Sequence, residues 1–94
     1  MVVQCIHFTF AAENAEKAEA IFRELRDASR KEEGVIGFEV ARSQEKPNVF
    51  VLWEQYRDNA ALEDHMATEH FKRLVLGGAR ALAQERDAER LVPI

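Results

Sequence analysis

Between residues 2 and 10 the chain alternates, with Ile6, Phe8 and Phe10 on one parity and Cys5, His7 and Thr9 on the other. A period of two sends alternate side chains to opposite faces of an extended chain, so this segment predicts a strand with one strongly apolar face. The period then changes. Ala18, Ile21, Phe22, Leu25 and Ala28 recur at the three- and four-residue spacing of one helical stripe, with Asn14 placed as its N-cap and Gly34 as its stop. Residues 35–43 return to an extended pattern, Lys46-Pro47-Asn48 supplies a turn, and residues 49–56 complete a predicted hairpin. Asp58 or Asn59 can cap a short helix carrying Leu62, His65 and Met66 inward. Thr68 can cap another carrying Phe71, Leu74, Val75, Ala79 and Leu82, which the pair Gly77-Gly78 should weaken or bend. A last short strand is predicted over residues 89–92, before Pro93.

The resulting order, βαββααβ, matches an α+β ferredoxin-like layout: a four-stranded antiparallel sheet with helices packed on one face. No repeat, linker or composition break divides residues 1–94, which read as a single domain. Helices on one side leave the other face of the sheet over, and that face would display Val3, Cys5, His7, Val49, Val51 and Trp53. So much contiguous apolar surface predicts a homodimer that stacks these sheets, with Trp53, Val51 and His7 as interface contacts. Length points the same way, because a 94-residue chain folding alone buries only about 60–65% of its unfolded surface.

Composition narrows the function classes. Hydrophobic residues make up 47% and charged ones 32%, a globular balance, and the net charge of −4 with both signs scattered gives no basic footprint for nucleic acid or anionic lipid. No apolar run approaches the roughly 20 residues of a membrane span, so neither nucleic acid nor membrane is expected as a partner. Cys5 is the single cysteine, so no internal disulfide can form, which fits a reducing compartment and an expected cytoplasmic location. The glycines form no phosphate loop, nucleophile elbow or dinucleotide fingerprint, and no cofactor is expected.

The candidate chemistry gathers around the third strand. Phe50, Leu52, Glu54 and Tyr56 share one face, and because Phe50 and Leu52 suit the helix-covered side, Glu54 and Tyr56 should enter the space between sheet and helices. His65, three residues after Leu62, lies on the inward stripe of the next helix. An imidazole, a carboxylate and a phenol in one partly apolar cavity can do acid–base work, and a histidine can accept a phenolic proton near neutral pH. Each also has a structural reading: His65 bonded to Glu54 would tie helix to strand, and Tyr56 and Phe71 would fill core. Glu54, His65 and His70 have the composition of a facial iron site, but positions i and i+5 lie apart around a helix unless the chain breaks between them, and no metal is expected.

Three stretches carry a family resemblance: Gly34-Val35-Ile36-Gly37-Phe38-Glu39-Val40-Ala41-Arg42-Ser43, Phe50-Val51-Leu52-Trp53-Glu54-Gln55-Tyr56, and Ala61-Leu62-Glu63-Asp64-His65-Met66-Ala67-Thr68-Glu69-His70-Phe71. In order and spacing the chain resembles the antibiotic biosynthesis monooxygenase domain family over nearly its whole length. The resemblance implies a dimeric α+β barrel and, among several known activities, cofactor-independent oxygenation of quinols and anthrones. Under that implication the partners are a small aromatic substrate and O2. His65 is the expected base, Glu54 orients it, and Tyr56 and His70 hydrogen-bond substrate oxygens. Phe71, Phe50 and Leu52 wall the ring, and Arg42 stands at the mouth. The family's haem-degrading branch has an Asn on the first strand, a Trp in the place of Tyr56 and a histidine near Val75, none of which this chain carries. The alternative is a small-metabolite isomerase or non-catalytic binding module using the same pocket. A cavity walled by Phe50, Leu52 and Phe71 favours flat aromatics, and one opened toward Arg42, His7 and His70 favours a phosphorylated or hydroxylated metabolite.

Overall fold

In the computed structural model, which describes residues 1–94, the alternating N-terminal segment is β1, Val2–Thr9, at the interior of the sheet. It pairs antiparallel with β3, Val49–Tyr56, on one side and with β4, Glu85–Leu91, on the other. Strand β2, Val35–Arg42, flanks β3, giving the order β2-β3-β1-β4 of a ferredoxin-like α+β domain. Its pairing with β3 shifts register between Val35 and Gly37.

Helix α1, Ala15–Ser29, is entered through a 3-10 turn, Ala12–Asn14. Phe22 and Leu25 of its apolar stripe join Ile6 and Phe8 of β1 and Phe50 and Leu52 of β3 in one buried cluster. At its centre contacting rings among Phe8, Phe10, Phe22 and Phe50 stand 5.3–5.9 Å apart, Phe8 and Phe10 stacked and the other pairs tilted or edge-on. Asn14 does occupy the N-cap position, but its side chain caps nothing: its backbone, at φ −100° and ψ 0°, lies outside the extended region from which a cap side chain reaches the helix N–H groups.

Helix α2, Asn59–Met66, is capped as its sequence implies: the Asp58 carboxylate accepts the Ala61 N–H at 2.9 Å. Thr68 then restarts the chain, its hydroxyl donating to the His65 carbonyl at 2.7 Å while accepting the Phe71 N–H at 3.1 Å. The segment that follows departs from the expected α-helix. Phe71–Ala79 winds as a nine-residue π-helix and only then tightens into α3, Arg80–Leu82. π-Helix is rare and occurs mostly as single-turn bulges within α-helices, so a run of this length is unusual. Gly77 and Gly78 lie within it, and a Cβ on Gly78 would meet the Ile21 side chain at 3.3 Å, so the missing side chain lets this segment settle closely on α1.

The last strand also differs from expectation, starting at Glu85 rather than residue 89. Glu85-Arg86-Asp87-Ala88-Glu89-Arg90 holds no β-branched or aromatic residue, so nothing local marks it as extended. Pairing with β1 from Thr9↔Glu85 to Val3↔Leu91 extends it, and its charges suit an edge strand.

On the face away from the helices Trp53 remains 41% exposed and His7 is exposed, with Cys5, Val49 and Val51 half-buried; Val3 is buried. No helix is long and apolar enough to cross a membrane.

Candidate functional site

A cavity of about 150 Å³ opens between the helix-facing side of the sheet and the helical layer. Its apolar walls include Ile6, Phe8, Leu52, Phe71 and Val75, and its polar groups are Gln4, Glu54, His65 and the arginines Arg80, Arg86 and Arg90.

Gln4 and Glu54 face each other across the β1–β3 ladder. The Gln4 amide donates to Glu54 Oε1 at 2.9 Å, and the Tyr56 hydroxyl donates to the same oxygen at 2.6 Å. Glu54 is only 4% exposed, and a buried carboxylate needs such donors. Burial, and after it the neighbouring charge of Glu54, pushes the Tyr56 phenol far above the usual phenolic range, so its hydroxyl stays protonated and remains a donor.

His65 is 2% exposed and caged by aromatic rings, with Tyr56 at 5.2 Å, Phe71 at 5.3 Å and Phe38 at 5.8 Å between centroids. Its hydrogen-bond partner is Glu32, in the turn after α1: Glu32 Oε2 lies 2.9 Å from His65 Nδ1 and 2.6 Å from His70 Nε2. A neutral imidazole that donates Nδ1–H to a carboxylate keeps a bare lone pair on Nε2. That nitrogen has no protein partner, and its ring lines the cavity.

Gly34 makes this pairing possible. A Cβ there would stand 2.4 Å from the Ala61 Cβ. Without one, the chain presses against the first turn of α2, and Glu32, two residues earlier, reaches His65, one turn beyond Ala61.

The structure therefore brings His65, Glu54, Leu52 and Phe71 to one cavity, and Tyr56 touches that site through Glu54. It separates the other expected contacts. His70 bonds to Glu32 outside the cavity wall, while Phe50 and Arg42 line a second recess of about 210 Å³. There Arg42 is tied to Glu16 and Glu19 of α1 and lies over the Phe50 ring. The carboxylate bonded to His65 is Glu32 and not the expected Glu54, whose Oε1 is taken by Gln4 and Tyr56. Glu32, His65 and His70 are also the side chains that could hold a divalent cation, their donor atoms lying within 4.8 Å of one another. The carboxylate gathered with the two histidines is thus Glu32, not Glu54.

Sequence reading missed Glu32, Gln4 and the three arginines. Gln4 was legible, since it shares the parity of Ile6 and Phe8 and only its polarity hid it. The alternation of acids and arginines over residues 85–90 was a signal too, had that segment been read as a strand. Glu32 carries no local signal.

A family model described as Antibiotic biosynthesis monooxygenase matches residues 1–75. Among curated proteins, "Putative monooxygenase YcnE" of Bacillus subtilis (strain 168) is 29% identical over 90 residues, spanning 96% of this chain and 95% of that protein. A crystal structure described as an antibiotic biosynthesis monooxygenase superimposes with a TM-score of 0.91 at 28% identity, covering 100% of this chain and 99% of the other. The crystal structure of PA3566 from Pseudomonas aeruginosa gives the same TM-score at 33% identity, covering 99% and 93%.

Proposed function

Because the chain belongs to the antibiotic biosynthesis monooxygenase family, we propose that it oxygenates a small aromatic hydroquinone with O2 and without a cofactor, using His65 as the base. The observation that carries this reading is the His65 geometry: a buried imidazole held at Nδ1 by Glu32, with no protein partner on Nε2 and its ring in the cavity wall. A base must lie within hydrogen-bond reach of the proton it takes and hold its lone pair toward it.

The chemistry needs little else from the protein. His65 removes a hydroquinone hydroxyl proton, and the electron-rich anion passes one electron to O2. The two radicals combine at ring carbon, and the resulting hydroperoxide loses water. Hydroquinone plus O2 becomes hydroxyquinone plus water, so the substrate is its own reductant. Glu54, with Oε1 taken by Gln4 and Tyr56, can accept a second substrate hydroxyl through Oε2. Cavity size favours one reacting ring over a fused anthrone, since a cavity of about 150 Å³ is the size that accommodates benzene.

Oxygen uptake by metal-stripped protein, followed with benzohydroquinones, naphthohydroquinones and anthrones against a no-enzyme autoxidation control, tests the reading. Uptake above the control is expected, strongest for single-ring substrates. No uptake above the control for any of them overturns it in favour of a binding or isomerase module.

We propose further that the protein is a cytoplasmic homodimer, joined through the sheet face that leaves Trp53 41% exposed, with Val51 and His7 beside it. Sedimentation at micromolar concentration should give about twice the 10.8 kDa chain mass, and Trp53→Glu should return it to the monomer. A wild-type monomer at that concentration excludes this interface.

A further inference from the structure

The arginines divide into two groups by their surroundings. Arg23, Arg26, Arg30, Arg42, Arg57 and Arg73 each form an ion pair with a carboxylate. The other three, Arg80, Arg86 and Arg90, have none, and all three line the cavity that holds His65. In a chain of net charge −4 with acids to spare, free guanidiniums gathered at one place call for a physical reason.

Strand pairing supplies the gathering. On β4, Arg90 lies opposite Gln4 and Arg86 opposite Phe8, and residues paired across a ladder share a face. Glu85, Asp87 and Glu89 take the other parity, so β4 turns its acids away from the cavity and its arginines toward it. Arg80 arrives from the opposite side, at the end of the π-helix. Aromatic walls steady two of them: the Arg80 guanidinium lies 5.9 Å from the Phe71 ring centroid and that of Arg86 5.8 Å from Phe8. Glu54 is the one carboxylate lining the cavity, and its Oε1 is already committed to Gln4 and Tyr56. Three positive charges against one negative leave the site electropositive. Burial, and after it the charge of Arg80, holds the Arg86 guanidinium below its ordinary value against the opposing charge of Glu54.

We propose that Arg80, Arg86 and Arg90 form an oxyanion clamp, and that the natural ligand is a hydroxylated aromatic ring carrying a carboxylate or phosphate group. The planar guanidinium fork matches both groups. The ring would fill the apolar part of the cavity with a hydroxyl toward His65, and its anionic group would lie among the arginines. The proposal rests on the oxygenase reading for the hydroxyl's role, but the charge preference stands on the arginines alone.

Binding of redox-inert probes separates the two. Calorimetric titration of wild-type protein would compare 4-hydroxybenzoate and phenyl phosphate with 4-hydroxybenzamide, a neutral isostere of the acid. The anions are expected to bind at least tenfold more tightly than the amide, with the preference shrinking as salt rises. Which anion binds more tightly distinguishes a carboxylate from a phosphate ligand. The double variant Arg86→Gln/Arg90→Gln should erase the preference. Arg73→Gln, which removes another exposed but ion-paired charge, and His65→Asn should both retain it. Equal affinity for acid and amide, no anion binding at millimolar concentration, or a preference that survives the double variant overturns the clamp. Absent oxygen uptake with an intact charge preference would sink the oxygenase reading and leave the clamp standing.

Discussion

Replacing His65 by Asn is expected to lower hydroquinone turnover by about 10²–10⁴-fold, the contribution usual for a positioned general base. The substitution is chosen for its shape. An Asn amide can still donate toward Glu32 from near the place of Nδ1, so the 2.9 Å link between α2 and the turn after α1 has a substitute, while the basic Nε2 is gone. The loss should therefore fall on kcat, with far-ultraviolet circular dichroism and the unfolding midpoint close to wild type. Glu32→Gln makes the complementary test. It keeps an oxygen for one imidazole but removes the charge that fixes the tautomer, so a smaller loss is expected, and Glu32→Asp should recover part of it if positioning is what Glu32 supplies. Unchanged turnover in His65→Asn on a substrate that wild type oxygenates would remove the base assignment.

The largest effect on stability is expected from Phe22→Ala. Phe22 is 1% exposed, and its ring meets Phe8, Phe10 and Phe50 at centroid distances of 5.3–5.9 Å. It is the point where α1 is fastened to the sheet. Truncating a buried phenylalanine costs about 3–5 kcal/mol, because the transfer term and the cavity left behind add. A domain of this length has only about 5–14 kcal/mol in total, so the midpoint should fall by on the order of 15–30 °C. Thermal unfolding gives the midpoint and chemical denaturation the free energy, both at fixed protein concentration so that any contribution of subunit association is held constant. A loss below about 1 kcal/mol would show that the aromatic cluster does not hold the layers together. Phe22 also walls both cavities, so a variant that folds should lose ligand affinity as well.

Much of the architecture was legible because the signals are local. A period of two over residues 2–10 and a helical stripe from Ala18 to Leu25 each report one buried face, and burial of that face is what fixes the element. The caps at Asp58 and Thr68 were readable for a similar reason, since each is a side chain bonding backbone within three residues of itself. Strand β4 was cut short because its residues lack strand character; its partner β1 lies more than seventy positions earlier. The π-helix was foreseen only as a weakness at Gly77-Gly78. The apolar spacing of Phe71, Leu74, Val75 and Ala79 does not distinguish a π-helix from an α-helix, so the winding itself was not legible.

The candidate site divides along the same line. Parity on β3 and the inward stripe of α2 placed Glu54, Leu52 and His65 toward one cavity, and those placements needed only the geometry of single elements. Which groups then bond to which was decided by tertiary structure. Glu54 is taken by Gln4 because the β1–β3 register sets them opposite, fifty residues apart in sequence. His65 is taken by Glu32, thirty-three residues away, because Gly34 lets the intervening turn close on α2. The arginines meet only when an edge strand and a helix end arrive from opposite sides of the cavity. Periodicity determines which face of an element is buried, and the sequence by itself determined that much here. Hydrogen bonds and ion pairs between elements depend on register and on close approach, which exist only once the layers have packed.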